Sequence, residues 1–96
     1  MLFHVVLIKL KPAVSDDEIR TVESALDDLP NKIVEINTYE FGRDIVKSER
    51  SYDFALIATF ANLTSMQRYQ QHPEHEAVMK SIRAISEHIR AVDIEV

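Results

Sequence analysis

Two of the chain's four histidines fall within seven residues, Tyr69-Gln70-Gln71-His72-Pro73-Glu74-His75, with a tyrosine at the opposite end. A third, His4, stands in the apolar run Leu2–Leu10. These residue types suit proton transfer beside a carbonyl. An imidazole titrates near pH ~6.5 and can take a proton at neutral pH. A tyrosine hydroxyl can polarise the carbonyl or orient the base. The candidate catalytic pair is therefore His75 as general base and Tyr69 as its polar partner. The candidate ligand wall is His4 with Val6 and Ile8, which share its face of a strand. One polar group in an apolar wall is the usual pattern of a small-molecule site.

Plainer roles fit the same residues. His75 can be a hydrogen-bonded residue at a helix start, and Tyr69 a core aromatic with a satisfied hydroxyl. A buried His4 can simply bond to a neighbour. His72 precedes a proline and is expected at the surface or capping the next helix. His88 is expected to mark the edge of the last strand. His72 and His75 are three apart with Glu74 and Glu76 beside them, a spacing that metal-binding helices favour. Pro73 spoils that geometry, and both glutamates should point away from His75. Neither a metal nor a cofactor is expected. The only glycine is Gly42, so no glycine-rich phosphate cradle exists. There is no Gly-x-Ser-x-Gly elbow and no cysteine nucleophile.

These side chains need elements to hold them. Leu2–Leu10 reads as a strand bounded by Lys11-Pro12. Ser15-Asp16-Asp17-Glu18 is a capping box, followed by Ile19, Val22, Leu26 and Leu29 at helical spacing. That helix should end at Leu29-Pro30. Ile33–Phe41 reads as a second strand with Val34, Ile36 and Thr38 on one face. Gly42 should end it with a positive φ. A charged loop covers Arg43–Ser51, and Tyr52–Phe60 is the third strand. Asn62 can cap a short helix to about Gln71. His72-Pro73 breaks it and starts another, with His75, Val78, Met79, Ile82 and Ile85 along its apolar stripe. His88–Val96 is the last strand.

The order is β-α-β-β-α-β, the split βαβ or ferredoxin-like pattern with a four-stranded antiparallel sheet. The chain of 96 residues is one domain, 1–96. The first and third strands are apolar on both faces, yet the helices can cover only one. The economical cover for the second face is another copy, giving a homodimer with sheets face to face.

Composition narrows the partners. A net charge of −5 and no Lys/Arg cluster exclude a nucleic-acid footprint and a basic membrane-binding surface. No apolar run is long enough to span a bilayer. The absence of cysteine fits a reducing compartment, and a cytoplasmic location is expected. The expected partners are a second copy of the chain and, if the apolar cavity is filled, a small-molecule ligand.

Phe3-His4-Val5-Val6-Leu7-Ile8-Lys9-Leu10, Phe41-Gly42-Arg43-Asp44, Tyr52-Asp53-Phe54-Ala55-Leu56 and Tyr69 through His75 occur in this order along the chain. Together they resemble the stress-responsive dimeric α/β-barrel (Dabb) family. The resemblance implies a ferredoxin-like homodimer closed into an α/β barrel, with a largely undefined, in part stress-related, role. A plant member of that family cyclises a polyketide by aldol chemistry. Its tyrosine, final histidine and early strand histidine match Tyr69, His75 and His4. The resemblance thus implies a cofactor-free cyclase or isomerase as an alternative to a binding module. A cofactor-independent monooxygenase is a third reading, since such enzymes share the dimeric fold. One departure bears on the substrate. The helix from Ser15 to Leu29 has no aromatic residue, whereas the cyclising member lines its pocket with aromatics there.

Overall fold

A computed structural model describes residues 1–96. Seven elements follow one another: β1 (Leu2–Leu10), α1 (Asp16–Lys32), β2 (Thr38–Arg43), β3 (Phe54–Phe60), α2 (Leu63–Gln71), α3 (Pro73–Ile85) and β4 (Ser86–Glu95). The strands form one antiparallel sheet in the order β2-β3-β1-β4. This is the ferredoxin-like arrangement, with the second helical segment broken in two.

The helix starts follow their local chemistry. The Glu18 amide donates to Ser15 Oγ at 3.1 Å, and the Ser15 amide donates to Glu18 Oε1 at 3.1 Å. Such a cap stabilises a helix by about 1 kcal/mol. The Ser65 amide donates to Asn62 Oδ1 at 2.9 Å and begins α2. His72 serves two helices at once. Its amide donates to the Tyr69 carbonyl at 3.1 Å and closes α2. Its Nδ1 accepts the Glu74 amide at 3.1 Å and caps α3. Pro73, at the first position of α3, has no amide to waste there.

Several boundaries differ from expectation. Helix α1 passes through Pro30 to Lys32. The proline removes only the amide that would have reached Leu26, and the Ile33 amide still closes the last turn on Leu29 at 2.9 Å. Ile33 is then a helix-capping residue in the core, 1% exposed, and not the start of a strand. Ile36 reaches back to the Ile33 carbonyl in a turn, so β2 begins only at Thr38. Its inward residues are Tyr39 and Phe41, while Thr38 is exposed. Gly42 lies inside β2 without a positive φ; the left-handed residue is Lys47, φ 56°, whose amide donates to Asp44 at 2.6 Å. The third strand starts two residues later than expected, at Phe54, and the last two residues earlier, at Ser86.

All three helices pack on one face of the sheet. There His4, Val6, Ile8, Phe54, Leu56, Ala58 and Phe60 meet Val22, Leu26, Leu29, Met66, Tyr69 and Ile82. Burying each large apolar side chain contributes about 1.5–3 kcal/mol. The other face stays open, with Leu7, Ile57, Val92 and Ile94 exposed. No helix is long and apolar enough to cross a membrane.

Candidate functional site

Between the helices and the sheet lies a cavity of about 160 Å³. His4, Val6, Ile8, Tyr69 and His75 all line it. The cavity is therefore on the helix side of the sheet. Its wall is mostly apolar, with Leu26 and Leu29 from α1 and Val78 and Ile82 from α3. Its polar groups converge from four elements: His4 on β1, Tyr39 on β2, Tyr69 and Gln70 on α2, and His75 on α3.

The break at His72-Pro73 sets the central pair. It turns the chain so that the Tyr69 and His75 rings, six residues apart, lie 4.3 Å apart between centroids. Tyr69 is 1% exposed and also touches Phe60 and His4, at ring distances of 4.9 and 6.2 Å. His75 is half-buried at the start of α3. Its Nδ1 lies 3.1 Å from the Gln70 carbonyl. A carbonyl only accepts, so Nδ1 carries the hydrogen and Nε2 is the bare nitrogen. Burial pushes the His75 pKa down; the Gln70 carbonyl works against this, and nearby His4 adds to it. The ring is therefore neutral at pH 7, with a free lone pair.

His4 is 5% exposed and bonds through Nδ1 to the Asp93 carboxylate, which faces it across the β1–β4 pairing. That carboxylate is an acceptor, so His4 also keeps its hydrogen on Nδ1. Its Nε2 has no partner in the chain, and no fully buried polar side-chain atom is left unpaired. His4 Nε2 therefore opens onto the cavity that His4 lines.

The Tyr39 and Tyr69 hydroxyls lie 3.1 Å apart. Burial raises both pKa values; for Tyr39, the Tyr69 hydroxyl beside it raises it further. Both hydroxyls stay protonated at neutral pH. One proton bridges the pair, and the other is free for a third group. Two imidazoles and a pair of tyrosine hydroxyls thus belong to residues lining one small, mostly apolar chamber. That set can take a proton from a ligand and hold its oxygen.

His72 is outside this set, because its Nδ1 caps α3. His88 is the third residue of β4, exposed and beside Glu87. No group of three or more metal-ligating side chains converges anywhere in the chain. Sequence reasoning missed Tyr39, Gln70 and Asp93. Asp93 left a sign, being a carboxylate inside the apolar run Ala91-Val92-Asp93-Ile94. Tyr39 was hidden by the misplaced start of β2.

Known proteins of similar sequence and shape agree on the fold. An uncharacterized protein of Streptomyces coelicolor is 32% identical over 79 residues, covering 80% of this chain and 81% of that one. A dimeric ferredoxin-like protein of unknown function from Thermobifida fusca superposes with a TM-score of 0.90 at 30% identity, over 99% of this chain and 90% of its own. A dimeric protein of unknown function and ferredoxin-like fold from Bacteroides fragilis gives 0.86 at 33% identity, over 99% and 95%. The family model for the stress-responsive A/B barrel domain (Dabb) matches residues 2–96, and the chain belongs to that family.

Proposed function

We propose that this protein is a homodimer whose cavity binds a small, largely apolar carbonyl compound and moves a proton on it. The observation that carries this reading is the His75 ring, bonded through Nδ1 to the Gln70 carbonyl and 4.3 Å between centroids from Tyr69, whose hydroxyl meets that of Tyr39. His75 Nε2 takes a proton from the carbon next to the carbonyl. The electron pair left behind moves onto the carbonyl oxygen, and the tyrosine hydroxyl hydrogen-bonds that oxygen. The Gln70 carbonyl holds the Nδ1–H of the imidazolium that forms. Where a C=C adjoins that carbon, the electron pair spreads over a dienolate, and return of the proton from His75 to the far carbon of the dienolate completes an isomerisation. Attack of the carbanion on a second carbonyl, whose oxygen then takes the proton back from His75, completes an aldol closure.

Size limits the ligand. A cavity of roughly 150 Å³ accommodates one benzene-sized ring, which is close to the volume found here. The missing aromatics in α1 also distinguish this wall from that of a polyketide cyclase. The dimer is supported by the exposed apolar residues on the open sheet face and by the dimeric relatives.

The test is exchange of α-protons for deuterium on one-ring ketones, followed by NMR, with wild type and His75→Ala. Exchange by wild type that the variant loses while keeping its fold supports the reading. Ligands that bind without any exchange point to a carrier or sensor instead.

A further inference from the structure

The open sheet face carries a pattern that its own chain does not use. Cross-strand partners share a face, so the register lays this surface out in rows from β2 to β4. One row is Thr38, Thr59, Phe3 and Ile94. The next is Glu40, Ile57, Val5 and Val92, and the third is Gly42, Ala55, Leu7 and Arg90.

Two features need explaining. Glu40 and Arg90 are exposed charges at opposite edges, one row apart, and neither forms an ion pair within the chain. Arg90 reaches only the carbonyl of its neighbour Ile89, at 3.1 Å. Gly42 sits in a strand interior, where glycine weakens a sheet, yet a Cβ there would meet nothing within 4 Å. Its own chain does not need the glycine. The depression it helps form also has Leu7, Ala55 and Arg90 in its walls, with Asp44 and Arg50 among the charged residues around it.

A two-fold axis along the strands explains both. It lays β2 over the partner's β4 and β3 over the partner's β1, with each row meeting itself. Small residues then face large ones: Thr59 meets the partner's Phe3, and Ala55 the partner's Leu7. The gap at Gly42 receives the partner's Arg90. From there that guanidinium is one row from Glu40. An axis across the strands would instead set β2 on β2, bringing Glu40 toward its own copy and Arg90 toward its own copy. Charge complementarity and size complementarity select the same axis.

We infer that the open face docks a second copy of this chain with strands aligned, held in register by two symmetric ion pairs between Glu40 and the partner's Arg90, with Gly42 leaving room for that arginine. This rests on the homodimer proposed above. It also brings the open edges of β2 and β4 alongside each other, which shields backbone groups that would otherwise invite unspecific pairing.

Charge reversal tests it. Glu40→Arg, Arg90→Glu and the double variant are compared with wild type by sedimentation equilibrium at low and high salt, with circular dichroism to confirm folding. Each single reversal should weaken the dimer by about tenfold or more, as close interfacial charge pairs do. The double variant restores both pairs with their signs exchanged and should recover most of that loss at low salt. Gly42→Val should keep or raise monomer stability while weakening the dimer. A wild-type monomer would overturn the dimer itself. A wild-type dimer that ignores the single reversals, or is not rescued by the double variant, or tolerates Gly42→Val, would overturn only this register.

Discussion

The Tyr39 hydroxyl lies 3.1 Å from the Tyr69 hydroxyl, joining β2 to α2 across the cavity wall. The contact ties a strand edge to the helix that carries the candidate site. Removing either hydroxyl takes away one hydrogen bond in a largely apolar setting, where such a bond is worth about 1 kcal/mol. Tyr39→Phe and Tyr69→Phe should each lower unfolding free energy by roughly that amount. The double variant should lose less than the sum, because the two share one bond. Urea unfolding of all four proteins checks this.

His75 sets the pH behaviour of any reaction in the cavity. Burial lowers its pKa in the folded protein, so it stays neutral below the usual histidine range. Turnover should therefore hold steady through neutral pH and fall only below about 6.5. His75→Ala should lower the rate by about 10²–10⁴-fold, the usual worth of a positioned base. A rate that instead rises on acidification would assign the chemistry to a protonated group.

The same shift affects stability. With its folded pKa below its unfolded value, His75 binds a proton more readily in the unfolded chain. Above both values the two states are alike. As pH falls below about 6.5 the unfolded chain gains protons first, and stability drops. His75→Gln should remove this part of the slope. Urea midpoints of both proteins between about pH 5 and pH 8 give the comparison, and the gap between their slopes should appear only on the acid side.

Asp93 should act through His4. Its carboxylate fixes the hydrogen on Nδ1 and leaves Nε2 toward the cavity. Asp93→Ala leaves a buried imidazole without its partner and should cost about 1–3 kcal/mol. Asp93→Asn keeps an acceptor oxygen and should stay closer to wild type in stability. If both variants lose ligand affinity equally, the charge matters and not the orientation.

What could be read from the sequence was what short-range chemistry decides. The capping box at Ser15, the cap at Asn62 and the break at His72-Pro73 depend on neighbours within a few residues, and each occurs as expected. The apolar run Leu2–Leu10 fixed β1, and its two-sided apolarity predicted an uncovered face. What failed depended on tertiary contacts. Ile33 and Ile36 looked like strand residues because they are β-branched, but the core takes Ile33 as a helix cap. The glycine expected at a turn lies in a strand, and Lys47 takes the left-handed position. Tyr39 and Asp93 could not be placed beside Tyr69 and His4 without the sheet register, which no local pattern states.

The most direct test of the central claim is a thermal-shift screen of one-ring carbonyl compounds and aromatic acids on wild type and His75→Ala in parallel. A ligand at about 100 times its dissociation constant adds about 2.7 kcal/mol of stability. In a domain of this size each kcal/mol moves the midpoint by roughly 4–8 °C. The predicted result is a set of compact carbonyl hits on wild type whose shift shrinks or vanishes in His75→Ala. Silence across the library, with the variant merely less stable than wild type, would contradict it and leave His75 a structural residue.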